Sequence, residues 1–207
     1  MQYQKDEIKN RIVVAALSEF KDKGYINASM RRISKSSNVP LGNLYRYFKN
    51  KEDLFTSIVG PVYINIRSFL NKIGDAKNDP NEERPSFTGG LSQFKEIDDI
   101  KDELLEICKD HNTELLILMD KSRSSPYENV KVELISVISD LFTKELLLTI
   151  KNKETLIIDA YFATVISASV VEGLCFILRK YTDGQILRQM TDQLLYVIYK
   201  DIRERLI

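Results

Sequence analysis

Histidine and cysteine are nearly absent from this 207-residue chain: His111 stands alone, and the only thiols are Cys108 and Cys175. The two cysteines are far apart and form no CxxC pair, with only His111 as a companion, so no zinc-ligand spacing exists. Their expected state is a pair of buried, reduced thiols in a cytoplasmic protein. Catalytic chemistry is provided just as thinly. One histidine, scattered carboxylates and no glycine-rich phosphate loop leave no positioned base or nucleophile, so neither an enzyme nor a cofactor is expected. The acidic group Asp98, Asp99, Asp102, Glu103 and Glu106 reads as a solvated helix face rather than a cation site. A long apolar run is missing too. Met1 to Asn10 is polar and charged, which predicts no secretory signal; Leu156 to Leu178 is broken by Asp159 and Glu172, which argues against a membrane span. Sustained strand-like alternation is also lacking. The expectation is an all-α chain long enough for one large or two small domains.

Net charge is zero, from 30 basic and 30 acidic side chains. Their distribution is uneven. Residues 1–55 hold 11 basic against 6 acidic side chains, a net +5, and the remainder balances it at −5. A basic head on an acidic body is the footprint of a module that meets phosphate, although ordinary surface variation produces it as well.

Ser29 to Phe55 organises the rest. Ser29 is an N-cap residue, and Met30 to Ser37 puts Met30 and Ile33 on one helical face. Asn38-Val39-Pro40 ends that helix: asparagine tolerates a left-handed conformation, and Pro40 forces Val39 to extend. Pro40 or Leu41 then opens a second helix. Leu44, Tyr47 and Phe48 form its inner stripe and leave Leu41, Asn43, Tyr45 and Arg46 largely outside. Asn50, with Asp53 three residues on, approximates a capping box for a third helix. Two short helices joined by so tight a turn have helix-turn-helix geometry. Ahead of them, Gln4 to Lys23 is a helix whose Ile8, Ile12, Ala15, Ala16 and Phe20 can cover Ile33, Leu44 and Phe48, with Gly24 as its stop.

The run Leu44-Tyr45-Arg46-Tyr47-Phe48-Lys49-Asn50-Lys51-Glu52-Asp53-Leu54 resembles the DNA-binding domain of the TetR family of transcriptional repressors. Gly24-Tyr25 and Ser29-Met30-Arg31-Arg32-Ile33 also fall in that family's order, and the likeness covers about the first quarter of the chain. Asn38 replaces the family's usual turn glycine, and Arg32 replaces a common acidic residue. The resemblance implies an N-terminal three-helix DNA-binding domain (1–50) followed by a larger helical bundle for effector binding and dimerisation (51–207). It also implies a homodimer on a palindromic double-stranded operator, released by a small-molecule effector. Tyr45, Tyr47, Lys51 and Ser29 would then meet the sugar-phosphate backbone. Arg31, with Leu41, Gly42 and Asn43, would read bases, and Arg32 would lie on the same surface. The bland alternatives are a solvated surface for the arginines and packing for Leu41 and Tyr47.

Beyond the head, Lys51 to about Lys72 reads as a helix with a kink at Gly60-Pro61. Gly74 to Gly90 reads as a long loop, Thr113 to Lys121 as a short apolar helix, and Pro126 to Ile150, Glu154 to Lys180 and Gln185 to Arg205 as further helices. By resemblance, the last two supply a dimer interface through Ile157, Tyr161, Thr164, Ala168, Val171, Ile186, Met190, Leu194, Val197 and Ile198, although such stripes also serve as plain core. Candidates for lining an effector pocket are Cys108, His111, Leu115, Met119, Tyr127, Tyr161, Phe162 and Glu172. For Glu172, burial against a cationic ligand stands equal with the alternative that it faces solvent or pairs with an arginine across the dimer. A helical interaction protein that keeps the motif without binding DNA is the other class to separate by experiment.

Overall fold

The computed structural model describes residues 2–75, 102–149 and 160–206, and all regular structure among them is helical. The helices are α1 (Gln2–Asn27), α2 (Met30–Ser37), α3 (Leu41–Tyr47), α4 (Lys51–Asp75), α5 (residues 102–110), α6 (Asn112–Asp120), α7 (Val130–Thr149), α8 (Ala160–Lys180) and α9 (Gly184–Leu206). They fall into two compact units, Met1–Asn65 with His111–Lys131, and Ile66–Asp110 with Val132–Ile207. Lys51 thus begins a helix that starts in the first unit and ends in the second.

The first unit closes over Ile12, Ala16, Phe20, Ile33, Leu44, Leu54 and Phe55, all fully buried. These are the positions that helical periodicity places on inner faces, except that Ile8 and Ala15 are only half-buried. α6 packs on α1 with Leu115, Ile117, Leu118 and Met119 inside, so nearly all sides of its last turns are covered. Gly24 breaks the regular helix, as expected. Helical hydrogen bonding resumes to Asn27, but Gly24 itself takes φ 71° and ψ 167°. The break frees the Tyr25 N–H to donate to the Lys121 carbonyl at 2.8 Å, and that carbonyl lies 3.5 Å from where a Cβ on residue 24 would stand. Glycine suits both demands.

Pro126 does not open a helix, contrary to expectation. Residues 122–129 are wound into turns by their serines. Ser122 Oγ donates to the carbonyls of Leu118 and Tyr127, Ser125 Oγ accepts the Tyr127 N–H, and Ser124 takes a positive φ of 62°. Serine hydroxyls that bond nearby backbone compete with the helix in this way. Helix α7 begins at Val130 instead.

In the second unit α8 packs on α9, with Ala163, Ser167, Val170, Val171, Cys175 and Leu178 turned inward. The two helices lie close at Gly173, where a Cβ would stand 2.8 Å from a Leu194 methyl. Phe142, Ala163 and Val170 form one core cluster with Ile138, Ile166, Leu174, Leu195 and Ile198 against it. Tyr161–Lys180 is long and apolar enough to cross a bilayer by length and composition, with 44% of that window buried within the protein. The expected loop Gly74–Gly90 starts inside α4, which reaches Asp75, and the rest of it lies outside the described residues. α4 runs through Pro61.

Candidate nucleic-acid interface

α2 ends in a Schellman turn. Asn38 adopts the left-handed conformation (φ 52°, ψ 38°), its N–H reaches the Lys35 carbonyl, and the Val39 N–H reaches Ser34. Ser34 Oγ returns a 2.7 Å bond to the Val39 carbonyl, which ties the turn from both sides. Pro40 then caps α3, its carbonyl accepting from Asn43 at 2.8 Å and Leu44 at 2.9 Å. Here Asn38 supplies the backbone shape for which glycine is the common choice. The angle between α2 and α3 is therefore fixed by short, local bonds.

α3 is anchored by Leu44 and closed by Phe48, both buried, while Tyr47 is half-buried. Opposite them, Gly42, Tyr45 and Arg46 are exposed, and Leu41 and Asn43 are half-exposed. Apart from its own helix backbone and chain neighbours, nothing lies within 4 Å of a Cβ placed on Gly42, so the backbone there is open to an incoming surface. Arg31 on α2 is exposed as well. This outward face has the donors, acceptors and small residue that base edges and phosphates would use.

α4 starts with reciprocal caps: Asn50 Oδ1 accepts the Asp53 N–H at 2.7 Å, and Asp53 Oδ2 accepts the Lys49 N–H at 2.9 Å. The second bond goes one residue earlier than in a strict capping box. Lys51, the first residue of α4, reaches back to the end of α1 and the residue after it. Its ammonium donates to the carbonyls of Ile26 at 3.1 Å and Ala28 at 3.4 Å, and lies 4.6 Å from the Tyr25 ring centre. Burial lowers the Lys51 pKa and, with the charge of Glu52 second, raises that of Tyr25. Tyr25 in turn stacks near Phe20 and tilts against Phe55, which faces Tyr127.

Ser29 occupies the N-cap position of α2 in extended conformation, but its side chain makes no capping bond. Its backbone N–H instead donates to Glu19 Oε1 at 3.0 Å. The same oxygen accepts Arg32 Nε at 2.7 Å and Nη2 at 2.6 Å, and Nη2 also donates to the Asn27 carbonyl. Sequence reasoning placed Arg32 with the DNA contacts and missed Glu19, because nothing local links residue 19 to residue 32.

The structure divides the eight candidate pocket residues. His111, Leu115, Met119 and Tyr127 belong to the first unit, and Cys108, Tyr161, Phe162 and Glu172 to the second. Leu115, Met119 and Cys108 are buried, with burial and the neighbouring Cys175 raising the Cys108 pKa to about 12. Tyr161 and Phe162 are exposed. Glu172 is exposed too, 3.9 Å from Arg179 on the same helix, so the alternative of a buried acid is set aside. A groove of about 470 Å³ between α1 and α2, lined by Arg11, Val14, Glu19, Asp22 and Ser36 among others, includes none of the eight. Of the acidic group, Asp102 pairs with Arg188 at 2.8 Å and Glu106 with Lys109 at 3.9 Å, and Asp98 and Asp99 lie outside the described residues.

Of the dimer candidates, Tyr161, Thr164, Ile186 and Val197 are exposed, and Ala168, Met190, Leu194 and Ile198 are half-buried. Val171, only 2% exposed, belongs to the inner face of α8, and Ile157 lies outside the described residues.

The family profile described as bacterial regulatory proteins, tetR family, matches residues 12–58, the stretch from α1 into α4. The HTH-type transcriptional regulator SAB2452 of Staphylococcus aureus (strain bovine RF122 / ET3-1) is 32% identical over 78 residues, spanning 37% of this chain and 40% of that protein. Among solved structures, a TetR family transcriptional regulator from Chloroflexus aurantiacus superposes with a TM-score of 0.61 at 15% identity, covering 96% of this chain and 93% of that one. NalD, the secondary repressor of the MexAB-OprM multidrug efflux pump in Pseudomonas aeruginosa, gives a TM-score of 0.55 at 18% identity, with 96% of each chain covered. A TetR-like transcriptional regulator from Rhodococcus sp. RHA1 gives 0.55 at 17% identity, over 94% of this chain and 95% of that one. At these identities the structures establish the fold, an N-terminal helix-turn-helix domain followed by a helical body.

Proposed function

We propose that this chain, whose residues 12–58 match the tetR family of bacterial regulatory proteins, represses transcription by occupying a palindromic operator as a homodimer until a small molecule releases it. The observation that carries the DNA reading is the α2–turn–α3 unit. Its angle is fixed by the Schellman turn and the Pro40 cap, and its outer face presents Arg31, Gly42, Asn43 and Tyr45. Arg31 can pair with guanine, Asn43 with adenine and Leu41 with a thymine methyl, while the hydroxyls of Tyr45, Tyr47 and Ser29 meet phosphate. Lys51 supports this face from behind by holding the carbonyls of Ile26 and Ala28.

One α3 of seven residues reads few base pairs. Two copies about one helical turn apart, roughly 34–36 Å, double the contacts. The apolar outer face of α8 and α9 is the surface for that pairing. Release requires an effector with different affinities for two states of the protein, with α4 as the continuous helix leading to the head. The protein is cytoplasmic and non-enzymatic on this reading, and uses no cofactor.

The test is fluorescence titration of the full chain with duplex DNA at several salt concentrations. Binding through phosphates gives a linear fall of log affinity with log salt, at a slope of about −0.9 per phosphate neutralised. Absence of salt-dependent binding at low ionic strength would favour an interaction protein with an unused motif.

A further inference from the structure

We propose that Glu19 and Arg32 form a positioning pair that sets α2, and through it α3, against duplex DNA, a role that rests on the DNA-binding reading above. Four groups converge here. The guanidinium of Arg32 places two nitrogens on one Glu19 oxygen, the Ser29 N–H adds a third bond to that oxygen, and the Asn27 carbonyl takes a further bond from Arg32. The body of α1, its last residue and the first turn of α2 are thereby held at one point.

The carboxylate is the more sheltered side of the pair: the Glu19 side chain is 12% exposed, against 52% for Arg32. A charge withdrawn from water to that degree needs strong partners, and a charge-assisted bond to a planar guanidinium is among the strongest available. The carboxylate also does what the Ser29 hydroxyl does not. It satisfies a backbone donor at the N-terminus of α2 and opposes the positive end of that helix. Since α2 and α3 are locked by the turn at Asn38, the orientation of α2 on α1 becomes the orientation of α3. A guanidinium bound on two sides is committed to this bridge, whereas the neighbouring Arg31 is exposed and turned outward.

The pair can be tested against direct DNA contact by Arg32. Full-length wild type, Glu19→Gln, Arg32→Gln, Arg32→Lys and the reversed double variant Glu19→Arg/Arg32→Glu are titrated with a labelled duplex that the wild type has selected from a randomised pool. Helix content is checked by circular dichroism. The reversal is chemically sound, because Arg32→Glu sets a carboxylate three residues after Ser29, the capping-box spacing that reaches the Ser29 N–H.

Positioning predicts that Glu19→Gln and Arg32→Gln each weaken binding by roughly tenfold with the salt slope unchanged. Arg32→Lys, which keeps the charge but not the forked geometry, should lose about as much, and the reversed pair should return to within about threefold of wild type. A salt slope smaller by about 0.9 in Arg32→Gln, with Glu19→Gln unaffected and Arg32→Lys retained, would overturn the proposal and make Arg32 a phosphate contact. Should a glutamine variant lose helix content, the reversed pair decides: recovery of both fold and binding supports the bridge, and recovery of neither overturns it. A wild type that binds no duplex overturns the DNA reading itself, so the two failures are distinguishable.

Discussion

Glu19 is pulled in two directions. Burial raises its pKa, but hydrogen bonds from Arg32 and the Ser29 N–H, with the charges of Arg32 and Lys23, outweigh burial and hold it below the ordinary 4.5. A carboxylate with a depressed folded pKa adds stability that is complete above the unfolded value and is lost as pH falls through the folded one. The expected outcome is that Glu19→Gln unfolds at lower denaturant than wild type near neutral pH, with the gap narrowing once pH drops below 4.5. Urea melts of both proteins across pH 7 to pH 3 measure it, and a gap that stays constant or widens in acid would count against the stabilising contact. Other residues show why local signals translate well and distant ones do not. Asn38 and Pro40 act on the backbone within two residues of themselves, so their effect could be read directly from the chain. The bond from Glu19 to Arg32 spans thirteen positions and exists only once α1 and α2 have met.

At the scale of elements, α2 has the bounds that its punctuation predicts, Met30–Ser37, and α3 opens at Leu41 as predicted but ends at Tyr47, with Phe48 extended beyond it. The turn at 122–129 was not legible, because a proline after serines reads equally as a helix start. What settled it was the reach of Ser122 to the carbonyls of Leu118 and Tyr127. Nor does any local pattern assign His111–Lys131 to the same compact unit as α1–α3. That grouping comes from the burial of α6 and from the Tyr25–Lys121 bond, both tertiary. Within α3, Gly42 separates folding from binding. Its φ needs no glycine, and an added methyl meets nothing within 4 Å apart from its own helix backbone and chain neighbours. Gly42→Ala should therefore stabilise the head by about 0.5–1 kcal/mol through helix propensity. If the backbone at Gly42 approaches DNA closely, the same methyl should weaken binding by roughly tenfold or more. Thermal unfolding and the salt titration give the two readings. A variant that is more stable and binds as wild type would remove Gly42 from the contact surface.

For the whole molecule, the outer faces of α8 and α9 carry the argument for pairing. Tyr161 is 74% exposed, Phe176 70% and Val197 66%, with Val165, Tyr196 and Ile186 also open to solvent. Tyr161, Val165 and Phe176 follow one helical stripe, opposite the buried Ala163, Ser167, Val170 and Leu178. Phe176 was not among the sequence candidates and Val171 was, because small residues spaced along α8 fit either face. Glu172 and Arg179 interrupt the stripe with a polar pair, which would fix the register of the proposed interface. Burying one large side chain contributes about 1.5–3 kcal/mol, and a two-fold interface counts each residue twice. Phe176→Glu with Val197→Glu should therefore raise the dimer dissociation constant by about a thousandfold or more while leaving the inner α8–α9 packing and the helix content intact. Sedimentation equilibrium of wild type and variant at micromolar concentration measures this directly. The variant's monomeric head should keep only weak, salt-dependent binding to a single half-site duplex. A wild type that is monomeric, or a variant that remains dimeric, would place the pairing surface elsewhere.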